Sequence, residues 1–271
     1  MKKILLLCMT VIMGAAFVLT GCGSDTANNG SSSSSSGSGS DAGKVLKVAT
    51  NADFAPFEFQ GEDSEEYQGF DMDLIRAIGK EMGVKVEISN MSFDGLIPAL
   101  QTGNIDAAIS GMSINDERKA KVAFSDPYYE SGLTIMVKAD NNSINSINDL
   151  SGKKIAVQIG TTGAEEAKKI PGAEVKELNS SADTFLELKA GNVDAVVNDK
   201  PVNDYYMTKN DDKTVKRVGD KLTSESYGIA IKKDDTKLVQ EINDAIKKLK
   251  DSGEYNKIYK KWFGTEPSSN N

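Results

Sequence analysis

Gly103-Asn104-Ile105-Asp106-Ala107-Ala108-Ile109 returns further along the chain as Gly191-Asn192-Val193-Asp194-Ala195-Val196-Val197. Gly, Asn, Asp and Ala recur in place and Ile exchanges for Val, so both stretches read as one joint: a glycine that ends a helix, then an apolar strand. The residues before each copy share a grammar. Val45-Leu46-Lys47-Val48-Ala49 predicts a strand, and 70–82 a helix with Leu74, Ile75 and Ile78 on one face, stopped by Gly83. Lys85-Val86-Glu87-Ile88 predicts a second strand, and Asp94 caps a helix through about Thr102. Before the second copy come a strand at 154–157, a helix at 162–169, a strand at 175–178 and a helix at 182–190. Two βαβαβ runs imply two similar α/β lobes, each a mostly parallel sheet flanked by helices.

Two helices close the chain. Leu238, Val239, Ile242, Ala245, Ile246 and Leu249 follow helical spacing, and Tyr255, Ile258, Tyr259 and Trp262 follow it again. Their expected role is core packing. Lobe one is expected at 45–127 plus 228–264 and lobe two at 133–222, with a flexible tail at 265–271. Two hinge crossings, near 128–132 and 223–227, would permit closure of one lobe on the other.

Residues 1–21 read as an export signal: Lys2 and Lys3, an apolar run over 4–19, then small residues. The run is slightly short for a membrane span. Leu19-Thr20-Gly21-Cys22 resembles the lipobox of bacterial lipoproteins. That resemblance implies a lipid-bearing (palmitate-type) Cys22, anchored on the extracytoplasmic face of a cell membrane as in Gram-positive lipoproteins. From there to residue 43 the chain is Ser, Gly, Asn and Asp, which cannot bury enough apolar surface to fold. Such a tether spans roughly 25 Å.

Histidine is absent, and Cys8 and Cys22 are the two cysteines of the chain. Serine–histidine and cysteine–histidine catalysis are excluded, and no metal, cofactor or disulfide is expected in the fold. The net charge is −8, about −10 once Lys2 and Lys3 leave with the signal. An acidic surface argues against nucleic acid and against a basic membrane-hugging face.

In open α/β sheets ligands bind beyond the carboxyl ends of the strands. Those places hold Asn51, Asp53 and Phe54, then Ser110, Gly111, Ser113 and Arg118. In the second lobe they hold Gln158, Gly160, Thr161 and Thr162, then Asn198 and Asp199. Arg118 can hold a carboxylate bidentately. Thr162, with Glu165 three residues on, has a capping-box pattern whose free N–H groups also favour an anion. Asp199 and the Ser113 hydroxyl can take an ammonium. One carboxylate and one ammonium held from opposite lobes describe the α-carbon end of an amino acid, and Phe54 and Phe93 would sandwich its side chain.

The sequence resembles the family 3 bacterial solute-binding proteins, the polar amino acid receptors of ABC importers, over about 45–267. The resemblance rests on Gly69-Phe70-Asp71-Met72-Asp73-Leu74, on the run from Ser110 to Arg118, on Phe124-Ser125-Asp126-Pro127-Tyr128-Tyr129 and on the run from Tyr255 to Gly264. It implies a type II two-lobed periplasmic-binding-protein fold, a monomer delivering its ligand to a membrane permease. It further implies Arg118 and Thr162 on the α-carboxylate, and Asp199, Gly111 and Ser113 on the α-ammonium. Asn51 stands where many relatives have Asp, and Gln158 and Asn198 depart from some glutamine binders. With Arg118 and Asp199 balancing the ligand zwitterion, Asn51, Gln158 and Asn198 add polarity without charge, which favours glutamine. Asp53 or Glu58, pointing inward, would instead favour arginine or lysine. Other readings are a dehydratase-like enzyme using Glu58 or Asp199, with no second titrating group seen to pair with either, a sensing ectodomain, and an adhesin. A chain ending at Asn271 without a membrane span or kinase domain argues against the ectodomain.

Overall fold

The computed structural model describes residues 43–61, 65–209 and 212–267. The export signal, Cys22 and almost all of the tether lie outside them, as do residues 268–271 of the expected tail. From β1 (Val45–Thr50) the chain passes through a small antiparallel ribbon, β2 (Asp53–Phe54), β3 (Glu58–Gln60) and β4 (Tyr67–Gln68). Then come α1 (Phe70–Met82), β5 (Lys85–Asn90), α2 (Phe93–Thr102), β6 (Ala107–Ala108), α3 (Asp116–Lys121) and β7 (Val122–Phe124). A first crossing, β8 (Tyr129–Ser131), leads to β9 (Leu133–Lys138), β10 (Lys154–Gln158), α4 (Thr162–Lys168) and β11 (Glu174–Leu178). After α5 (Ser181–Ala190), β12 (Ala195–Asp199), α6 (Lys200–Lys209) and β13 (Val215–Val218), the return crossing is β14 (Glu225–Tyr227). The chain closes with β15 (Ala230–Lys232), α7 (Thr236–Asp251) and α8 (Glu254–Phe263).

Two five-stranded sheets result, ordered β5-β1-β6-β15-β7 and β11-β10-β12-β9-β13. In each, the three strands of the βαβαβ run are parallel and two further strands add antiparallel. The sheets are therefore mixed where mostly parallel ones were expected. The added strands escape periodicity for physical reasons. β7 and β15 are three residues each, and β9 is buried on both faces, so it shows no alternation.

The repeated joint has a structural cause. Gly103 and Gly191 close α2 and α5 at φ 72° and 78°, a left-handed conformation that glycine adopts without strain. Three residues on, the Asp turns back to the neighbouring strand. The Lys47 N–H donates to Asp106 Oδ2 at 2.8 Å, and the Lys154 N–H donates to Asp194 Oδ2 at 2.8 Å. The Asp N–H groups return the bond to the Lys47 and Lys154 carbonyls, both at 2.8 Å. Register agrees, with Val48 opposite Ala107 and Ile155 opposite Ala195. Two details differ from expectation. Ser92, not Asp94, occupies the cap position of α2. β12 runs past the apolar stretch to Asp199 and so carries Asn198 and Asp199 within its ladder to β9.

The terminal helices return to the first lobe. Leu238, Ile242, Ala245, Ile246 and Leu249 of α7 are buried, and α7 and α8 both pack on α1. Trp262 Nε1 and Lys261 Nζ donate to Asp73 Oδ2 at 2.8 and 2.6 Å, pinning α8 to the start of α1. The two crossings pair antiparallel, Glu225 opposite Ser131 and Tyr227 opposite Tyr129. Phe57 meets Tyr129 and Tyr227 edge-on at 4.8 and 5.2 Å, so the crossings rise from a packed aromatic bed.

Candidate functional site

The carboxyl ends of the central strands converge on a cavity between the lobes. Its lining combines Asn51, Phe54, Phe93, Ser110, Gly111, Ser113 and Arg118 with Gln158, Thr161, Thr162 and Asp199, and adds Glu58. Asn198 is not among them. Its Nδ2 donates to Ser181 Oγ at 3.0 Å and its carbonyl accepts from Asn203, so this predicted ligand residue ties β12 to α5 and α6.

Arg118 is held on α3, whose cap Asn115 accepts from the Arg118 N–H at 2.8 Å. Its guanidinium is buried, stands 5.4 Å from the centre of the Phe93 ring, and donates to the Ser113 carbonyl at 2.7 Å and the Gly160 carbonyl at 3.0 Å. Phe93 is thus also a platform for the arginine. Burial lowers the Arg118 pKa, and the negative charges of Glu165, Glu225 and Asp199 act against that. Among the described residues no carboxylate comes within ion-pair distance of it.

Asp199 answers from the second lobe. Its Oδ1 accepts from Ser131 Oγ at 2.8 Å and Tyr227 OH at 2.6 Å, so both crossings aim it. Burial, with the charge of Glu225, raises its pKa to about 6, while these hydrogen bonds and Arg118 pull it down. It is ionised at neutral pH.

The first lobe supplies a pre-built wall. Ser110 Oγ donates to Glu58 Oε1 at 3.0 Å and accepts from the Asn51 N–H at 2.9 Å. The Gly111 N–H donates to Asp71 Oδ2 at 2.9 Å, beside Tyr128 OH at 2.8 Å. Gly111 sits at φ 50°, and a Cβ there would fall 2.8 Å from the Phe54 ring, so the position demands glycine. Glu58 and Asp71 lie within hydrogen-bonding reach of each other, fully buried. Burial first, then the charge of Asp71, pushes Glu58 well above the usual carboxylate range, and burial raises Asp71 to about 6. Glu58 Oε2 and Asp71 Oδ1 are buried with no other hydrogen-bond partner. The expectation that Glu58 has no titrating partner is therefore corrected. Asp53 does not line the cavity; it turns toward Ser180 and Ser181 at the head of α5.

Neutral groups close the remaining side. Gln158 Nε2 donates across the cleft to Asn51 Oδ1 at 2.6 Å, and Asn51 Nδ2 donates to the Met91 carbonyl at 3.1 Å. The cap of α4 is Thr161, whose Oγ1 accepts from the Ala164 N–H at 3.2 Å. The capping box predicted for Thr162 and Glu165 does not form, because Thr161 takes the cap position and Thr162 is the first helical residue. Thr162 Oγ1 is thereby free to donate to Glu225 Oε2 at 2.8 Å. Ser113 Oγ donates to the same oxygen. Glu225 was missed by reading strand ends alone; its position on the second crossing, two residues before Tyr227, was the available signal.

The model of the bacterial extracellular solute-binding proteins, family 3, matches residues 46–265. The chain belongs to this family. Among relatives of this solute-binding protein, the arginine-binding extracellular protein ArtP of Bacillus subtilis (strain 168) is 35% identical over 270 residues, covering 98% of this chain and 100% of its own. An ancestral arginine-binding protein, solved with arginine and with glutamine, matches at TM-scores of 0.79 and 0.78 with 48% and 49% identity. The match covers 81% and 82% of this chain and 98% of that one. The ancestral amino acid-binding protein AncCDT-1, a precursor of cyclohexadienyl dehydratase, is 46% identical at a TM-score of 0.75, over 81% of this chain and 95% of its own. Family membership places this solute-binding protein outside the cytoplasm.

Proposed function

We propose that this protein captures a free polar amino acid, glutamine foremost, between its lobes and delivers it to the membrane permease of an ABC importer. The carrying observation is a buried Arg118 with no paired carboxylate among the described residues, sharing one small cavity with an ionised Asp199. A buried charge left unpaired costs several kcal/mol. A ligand carboxylate on Arg118 and a ligand ammonium on Asp199 relieve both costs at once. At the other end Asn51 and Gln158 are neutral, and burial beside the Asp71 charge pushes Glu58 toward its neutral form. That end suits a carboxamide.

Glu58 itself supports a second reading, arginine or lysine, since a ligand cation facing it would favour the ionised form. The two are separable by calorimetry with the twenty amino acids in two buffers of different ionisation heat. Glutamine binding tightest, with no net proton release, is expected. Arginine binding tightest with release of about one proton selects the second reading, and a hydrophobic or acidic amino acid binding tightest contradicts both.

In this reading lobe one is 45–127 with 228–264, lobe two is 133–222, and the protein acts as a monomer hinged at its two crossings. Cys22 carries the lipid and the Ser/Gly stretch is the tether. The reading is non-catalytic: Glu58 is buried against Asp71, and Asp199 is locked by Ser131 and Tyr227. Turnover of prephenate or arogenate by the purified protein would contradict it.

A further inference from the structure

Glu225 lies on the return crossing and belongs to neither sheet. Its carboxylate takes hydroxyl donors from three bodies. Ser113 of the first lobe and Thr162 of the second both donate to Oε2, and Thr223 of the crossing donates to Oε1 at 2.6 Å. Each donor is itself held. Ser113 is buried and bridged to Tyr227, Thr162 opens α4, and Thr223 Oγ1 accepts from the Leu133 N–H at 3.0 Å. Glu225 is half-buried and, among the described residues, has no cation within ion-pair distance. Three hydroxyls, with Arg118 farther off, therefore balance its charge.

This set of donors exists together when the lobes are apposed. Opening the hinge carries Thr162 away from Ser113, and the carboxylate keeps at most one of them. We infer that Glu225 is a positioning residue, a hinge-borne latch that draws Ser113 and Thr162 together and favours the closed form before any ligand enters. A ligand for the closed form then binds more tightly by the fraction already closed. Because the latch touches the lobes and not the ligand side chain, its loss weakens every ligand by one common factor. This last consequence rests on the amino acid reading above; the effect on closure does not.

The test compares wild type with Glu225→Ala and Glu225→Gln by small-angle X-ray scattering without ligand, and by calorimetry with glutamine and with arginine. Unchanged thermal unfolding shows that the variants fold. Glu225→Ala is expected to expand the ligand-free particle and to regain the wild-type profile at saturating ligand. Affinities for both amino acids should fall by the same factor, about 3- to 30-fold. Glu225→Gln, which keeps the reach and can still accept a hydroxyl, should fall between. A ligand-free profile identical to wild type overturns the latch, as does a loss confined to one amino acid. Should wild type bind no amino acid, the functional reading fails while the ligand-free scattering still decides the latch.

Discussion

The same seven-residue joint delivers two unlike pairs of residues to the cleft. Beyond Ile109 come Ser110 and Gly111; at the equivalent places beyond Val197 come Asn198 and Asp199. In the first lobe both members line the cavity, Ser110 through its bonds to Glu58 and Asn51, and Gly111 because its N–H is taken by Asp71. In the second lobe the first member turns away to Ser181 and the second carries the charge. Topology decides where the chain emerges at the cleft. The hydrogen-bond neighbours waiting there, Asp71 and Glu58 for the first lobe and Ser131 and Tyr227 of the crossings for the second, decide what each residue does.

The largest expected effect lies at the charged poles. Arg118→Ala should weaken amino acid binding by about 30-fold or more, because truncating one partner of a buried charge pair costs about 2–5 kcal/mol. Arg118→Lys should recover little, since a bidentate fork becomes a point charge. Titration calorimetry measures both, and binding within tenfold of wild type would break the assignment.

Acid separates binding from stability. Asp199 titrates near 6, so affinity should fall as the pH drops below about 6, approaching tenfold per unit. Stability should move the other way. Asp53, Asp71 and Asp199 are each raised from 3.8 to about 6, so the native state binds their protons more tightly than the unfolded chain. Their contribution is full below 3.8 and lost as pH rises through 6. Asp212, lowered to about 2 by Lys189 and Thr214, opposes this below 3.8, outside the window. Thermal unfolding without ligand should therefore occur a few degrees higher at pH 5 than at pH 7.

Two substitutions just beyond the two joints sharpen the comparison. Gly111→Ala forces a Cβ into Phe54 at positive φ and should cost about 1–2 kcal/mol of stability together with much of the affinity. Asn198→Ala should cost about 1 kcal/mol, the bond to Ser181, and leave affinity within about threefold. A tenfold loss of affinity in Asn198→Ala would return that residue to the site. The smallest effect concerns what the lobes share. Asp106→Ala and Asp194→Ala each remove one side-chain bond to a strand N–H, and denaturant unfolding should show equal losses of about 1 kcal/mol.

Much of this was legible before any coordinates. The joint, its glycine and its aspartate are local chemistry, so the repeat announced two α/β lobes and the strand ends announced the cleft. Where sequence reasoning fell short, distant partners decide. Asn198 is turned by Ser181, seventeen residues away. Glu58 is drawn to the cavity wall by Ser110 and paired with Asp71 from α1. Glu225 receives the Thr162 hydroxyl because Thr161, not Thr162, caps α4. β9 and β15 join their sheets through hydrogen bonds that no periodicity in their own residues encodes.

The central claim is that one amino acid is gripped at its α-carbon end by both lobes. A crystal structure of the protein with glutamine tests it most directly. The account predicts density inside the cavity, with the ligand carboxylate on Arg118, its ammonium on Asp199 and its side chain between Phe54 and Phe93. A ligand lying outside that cavity, or one whose carboxylate rests anywhere but on Arg118, would contradict it.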